Sequence, residues 1–172
     1  MSKHLPPAPF HSPAGAARHF GAHVLAAGHD DPYQVRGKYR EPTVCSDCAA
    51  VYHDGRWTWD TPPEDAMQAR CPACRRVRDK LPAGTLVLEG PFVEQHADDL
   101  VRLLRHEAEH ERAEHPLARV MEIASGQRRI QVATTDIHLP QRLGEAVQRA
   151  YDGDLTVRYG LDEYCVRAHW RR

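Results

Sequence analysis

Four cysteines fall into two Cys-x-x-Cys pairs, Cys45-Ser46-Asp47-Cys48 and Cys71-Pro72-Ala73-Cys74, with 22 residues between them. Two thiolates at this spacing on a tight turn converge on one cation, and a second pair completes a tetrahedron around Zn²⁺. Sulfur then fills every coordination position, leaving none for a substrate or a catalytic water. The expected centre is therefore a structural Zn²⁺ held by Cys45, Cys48, Cys71 and Cys74. A redox dithiol would stand between a strand and a helix rather than beside a twin. His53 is a possible substitute ligand, although an exposed hairpin histidine is the simpler expectation. Cys165 alternates with Val166 in an apolar stretch and is expected to be a buried free thiol.

A second chemistry is suggested by arginine set among aromatic rings. Of 23 cationic residues only Lys3, Lys38 and Lys80 are lysines. Arg56 and Trp57, with Trp59, lie between the cysteine pairs, and Arg75, Arg76 and Arg78 follow the second pair directly. Guanidinium groups fork phosphates and stack on bases, and such interleaving serves looped or single-stranded RNA. Arg56, Trp57, Arg75, Arg76 and Arg78 are thus the candidate RNA contacts. The competing expectation is that Trp57 and Trp59 cover the metal site.

A third motif carries less. His106-Glu107-Ala108-Glu109-His110 matches H-E-x-x-H, which sets two imidazoles on one helical face. The extended pattern demands a glycine at position 113 and a histidine at position 116, where the chain has Ala113 and Pro116. A charged, exposed helix explains the match. Glu107 shares a stripe with Leu100 and Leu104, so its carboxylate needs a partner at the core margin; Arg129 and Arg167 are the candidates.

The elements that must position these residues divide the chain in three. Residues 1–42 read as a tail broken by Pro6, Pro7, Pro9 and Pro13 and holding His4, His11, His19, His23 and His29, with a short helix conceivable over 16–27. Residues 43–82 form a zinc ribbon organised by the cysteines. Residues 83–172 alternate strand and helix signals: a strand at 85–90, a helix at 94–114 ended by Pro116, strands at 117–124 and 129–134, a helix at 139–151 stopped by Asp152-Gly153, then strands at 155–159 and 164–170. The order β-α-β-β-α-β with an extra C-terminal strand is that of a ferredoxin-like α+β domain.

Composition narrows the classes. The net charge of -1 argues against a histone-like binder, and 41% hydrophobic residues suffice for a core. No apolar run approaches the roughly 20 residues that span a bilayer. The mildly apolar stretch 21–28 contains His23 without a cleavage pattern after it, so neither a signal peptide nor a membrane contact is expected, and the protein is read as cytoplasmic. No nucleophile–base pair, phosphate-cradling glycine loop or open metal position marks an enzyme, so no small-molecule substrate is expected. Residues 94–115 hold seven acids against three arginines, a net of -4. An acidic helix of that kind offers an alternative function, an adaptor that docks a basic protein partner.

Cys45-x-x-Cys48, Gly55-Arg56-Trp57, Cys71-Pro72-x-Cys74-Arg75 and the stretch from Asp136 to Tyr164 together resemble a family of small bacterial zinc-ribbon proteins. More distantly they resemble the N-terminal half of the nonsense-mediated-decay protein three family, an adaptor of the large ribosomal subunit. The matching stretch there includes Thr134-Thr135-Asp136, Leu143-Gly144 and Asp152-Gly153. That resemblance implies a non-enzymatic protein that associates with the ribosome, ribosomal RNA or another structured RNA.

Overall fold

The computed structural model describes residues 31–33, 38–160 and 164–172. Most of the expected tail, including the conceivable helix at 16–27, lies outside the described residues, as does most of the turn expected after Gly160.

The cysteine region builds a small sheet. Its strands are β1 (Thr43–Cys45), β2 (Val51–His53), β3 (Arg56–Thr58) and β4 (Met67–Ala69), in the order β3-β2-β1-β4. Asp54 and Gly55 join β2 to β3, both at positive φ (48° and 76°). That two-residue turn matches the twist of a hairpin. Helix α1 (Pro72–Asp79) follows β4, with Pro72 in its first turn, where a missing N–H costs nothing, and Lys80 closing it in the left-handed region.

The second unit contains β5 (Gly84–Glu89), α2 (Pro91–Glu114), β6 (Val120–Ser125), β7 (Arg129–Thr134), α3 (Leu139–Tyr151), β8 (Asp154–Tyr159) and β9 (Val166–Arg171). The chain is thus a mixed α+β protein with two sheets and three helices among the described residues. Strict alternation drives the larger sheet. Leu86 and Leu88, Ile130 and Val132, and Val166, Ala168 and Trp170 turn to one face and are buried. Both long helices cover that face, α2 with Val93, Leu100 and Leu104 and α3 with Leu139, Leu143 and Val147. Each such side chain contributes about 1.5–3 kcal/mol on burial. The pleat turns Arg129 and Arg167 to the opposite face, away from α2, so neither is placed to partner Glu107.

Two boundaries depart from the sequence pattern. Helix α2 begins at Pro91 rather than 94, and non-helical backbone at His96 (φ -125°) marks a kink near the expected start. Strand β6 begins at Val120 because residues 116–119 turn instead, with the Ala118 N–H bonded to the His115 carbonyl at 2.9 Å. The extra C-terminal strand, for which the sequence pattern gave no place in the sheet, lies inside it. The order is β6-β7-β5-β9-β8, with β9 parallel to β5 and antiparallel to β8. Burial explains the exchange: β9 offers a fully buried apolar row, whereas Leu155, Val157 and Tyr159 of β8 are half-buried and tolerate the edge. No helix among the described residues is long and apolar enough to cross a membrane.

Candidate metal centre

Each cysteine pair is delivered by a different local device. Cys45 ends β1, and the turn after it folds back so that the Cys45 N–H donates to Ala50 at 2.7 Å and the Ala49 N–H to Cys45 at 2.9 Å. Ala49 takes the left-handed conformation (φ 63°) that such a turn requires. The second pair is not a second turn of the same kind. Cys71 is the N-cap of α1, and its sulfur accepts the Cys74 N–H at 3.4 Å. Cys74 lies one helical turn along, so both sulfurs point out of the positive end of the helix, where negative charge is stabilised.

The four sulfurs lie within 4.8 Å of one another, and none is in a disulfide. The Sγ atoms of Cys48 and Cys71 stand 3.8 Å apart. Four sulfurs about 2.3 Å from one zinc would stand about 3.8 Å apart in a tetrahedron, and a disulfide would bring two to about 2.05 Å. The spacing suits a shared metal. Burial pushes the Cys45 thiol up, but backbone N–H groups of Cys71, Asp47 and Cys48 outweigh it and bring the group down to about 7. Burial raises Cys71, with the neighbouring cysteine sulfurs adding to the effect, and pushes Cys74 up to about 11.

Arg119 completes the site, and nothing in the sequence pattern singles it out. It comes from the turn before β6, in the other unit. One Nη donates to Cys48 Sγ at 2.9 Å and lies 3.9 Å from Cys71 Sγ, and the other donates to Cys74 Sγ at 3.3 Å. Its Nε donates to the Pro116 carbonyl at 2.6 Å and its backbone N–H to Thr135 Oγ1 at 3.0 Å, so the guanidinium is aimed rather than loose. Burial works against its charge, but the sulfurs outweigh that and raise its pKa. The Trp59 ring lies 5.7 Å from this guanidinium and 5.6 Å from that of Arg112, while Trp59 Nε1 donates to the Arg112 carbonyl at 2.7 Å. Trp59 thus ties the hairpin region to the end of α2 over the metal site.

The other candidates separate. Arg56 and Arg78 are exposed, and Arg75 is half-buried with its guanidinium 5.3 Å from the Tyr33 ring. Trp57 is only 9% exposed, packed with Tyr39 and Tyr52 at ring-centroid distances of 5.1 and 5.5 Å beside the cysteines. Arg76 is 2% exposed, ion-paired with Asp31, bonded to the Leu81 carbonyl at 3.3 Å and stacked 4.5 Å over Tyr33. Both are spent on packing. Cys165 is half-buried.

His53 sits at the hairpin end, exposed and 3.3 Å from Asp54, with Glu41 clasping the Asp54 and Gly55 N–H groups at 2.8 and 3.1 Å. These three donors cluster, but their atoms are engaged in holding the turn. Among the described residues His106, Glu107 and His110 join no such group of three. What the fold and site define is an α+β protein with a largely buried four-cysteine cluster at the junction of its two sheets. No family model, curated protein or solved structure matches the chain.

Proposed function

We propose that this is a non-enzymatic, cytoplasmic zinc protein that associates with the ribosome or another structured RNA. The observation that carries the reading is the largely buried cluster: four sulfurs as the donor set, with Arg119 against three of them. Cys45, Cys48, Cys71 and Cys74 would hold Zn²⁺, and the metal would supply cross-linking of β1 to α1 rather than Lewis-acid chemistry. The cysteine region then reads as a zinc ribbon whose second half is helical, and the larger unit as a variant of the ferredoxin-like sheet with β9 inserted beside β5. The preponderance of arginine and the surface positions of Arg56, Arg75 and Arg78 around the metal site favour an RNA partner. The acidic helix favours a protein partner less, because Glu94, Asp99 and Glu111 already pair with Arg128, Arg102 and Arg142.

The test is sedimentation of tagged protein with ribosomal subunits through a sucrose gradient, with a moderate-salt wash, beside a zinc determination on the same preparation. One zinc per chain and co-sedimentation with one subunit that survives the wash are expected. Protein confined to the top of the gradient would contradict the ribosome reading.

A further inference from the structure

A cleft of about 550 Å³ opens beside the metal centre, where the small sheet meets the larger unit. That size is within the range of small-ligand sites, about 300–1,000 Å³. Its floor is aromatic. Tyr39, Tyr52 and Trp57 line it, with their rings in mutual contact at 5.1–5.5 Å, and Tyr164 lines it from the other unit.

Its charge is also specified. Lys38 and Arg56 line the cleft and are exposed, and neither has an ion-pair partner among the described residues. His115 adds an imidazole. The carboxylate in the lining is Asp31, already neutralised by the buried Arg76 and accepting the Tyr33 N–H at 2.8 Å. The site therefore presents ring surfaces and two uncompensated cations to anything that enters.

From this complementarity we infer that the cleft seats an unpaired nucleotide of RNA, its base against the half-buried rings of Tyr164 and of Tyr39, which Tyr52 and Trp57 back from beneath, and its phosphates against Lys38 and Arg56. Rings of any base can stack on such a floor, so the site selects a splayed nucleotide rather than a sequence. The inference rests on the RNA reading above and gives it a location. It also explains why metal and RNA belong together. Pro72, beside the metal ligand Cys71, forms part of the same wall, so loss of the metal would disorder the cleft.

The test uses the full, zinc-loaded chain and a fluorescein-labelled oligouridylate carrying 4-thiouridine. Wild-type protein is titrated at several salt concentrations, beside Lys38→Gln combined with Arg56→Gln, Tyr164→Ala, and Arg149→Gln as a cation outside the cleft. Zinc content checks the small sheet of each variant, and a urea midpoint unchanged from wild type checks the larger unit. Losing two phosphate contacts lowers the slope of log affinity against log salt by about 1.4 in the double variant, with Arg149→Gln unchanged. Tyr164→Ala weakens binding about tenfold or more, and photocrosslinks fall on peptides containing Tyr39, Trp57 or Tyr164. Wild-type binding with an unchanged slope in the double variant and crosslinks elsewhere would overturn the cleft while leaving the RNA reading standing. Wild-type protein that binds no oligonucleotide would remove the cleft as a nucleotide site, as expected of a cleft that seats a protein segment, while the gradient experiment above decides the ribosome reading separately.

Discussion

The two sheets of this chain are held together by opposite means. The larger one encloses a continuous core in which Leu86, Leu88, Leu100, Leu143 and Trp170 are fully buried, and needs nothing from outside. The smaller one has strands of three residues each, and much of what it buries consists of its own metal ligands together with Ala50, Tyr52, Trp57 and Ala73. Strands that short bury too little to offset chain entropy, so on the zinc reading proposed above the metal would do for this region what leucine does for the other. The lesson is that one chain of 172 residues combines a self-sufficient scaffold with a conditional one. Arg119 is the contact that reaches from the first into the metal cluster of the second.

Removing a ligand should break the comparison most sharply. Cys71→Ser takes a fully buried sulfur out of the cluster while leaving a hydroxyl that can still cap α1. Bound zinc measured by mass spectrometry should fall to near zero, and the small sheet should lose the order that metal binding, about 10–16 kcal/mol in zinc-finger peptides, sustains. The mirror experiment is Trp170→Ala. That side chain is fully buried and its indole N–H donates to the Asp152 carbonyl at 2.7 Å. Urea denaturation should show a loss of about 3–5 kcal/mol in the larger unit, with zinc content retained below the transition.

Arg119→Met removes the guanidinium from the cysteine cluster and spares both cores, with Trp59 still bonded to the Arg112 carbonyl. Partners held outside a metal's own ligands alter affinity by about 10–100-fold when removed. Zinc should therefore pass to a competing chelator at a concentration lower by about that factor, while the urea midpoint of the larger unit moves little. Unchanged zinc retention would show that the guanidinium only packs there.

The smallest effect concerns pH. The His169 imidazole, 3.0 Å away, holds the Glu89 carboxyl below its usual value. A depressed carboxyl contributes stability above its unfolded pKa and loses it as pH falls through the folded one. Glu89→Gln should accordingly flatten the acid limb of the stability curve. The effect should be no more than a few tenths of a kcal/mol, since the pair is about half exposed and solvent screens it.

Local pattern carried much of this into view from sequence. The clustering of Cys45, Cys48, Cys71 and Cys74 was legible because spacing alone brings each pair together, and β7 and α3 run over the expected residues, 129–134 and 139–151, because their periodicity is strong. What stayed hidden depends on partners far along the chain. Arg119 lies 71 residues from Cys48, and nothing near it advertises a sulfur. Arg76 looks like one more exposed arginine until Asp31 and Tyr33 cover it. Trp57 reads as a stacking platform until Tyr39 and Tyr52 close around it. The insertion of β9 was invisible for the same reason: strand order is set by which row is most apolar, and several arrangements suit one succession of elements.

The most direct measurement is amide hydrogen exchange, read along the chain before and after zinc is withdrawn by a chelator. The account predicts that protection collapses across β1–β4 and α1 while the amides of β5, β7 and β9 keep theirs. Loss of protection throughout the chain, or none in either region, would contradict the division between a metal-dependent sheet and a self-sufficient one.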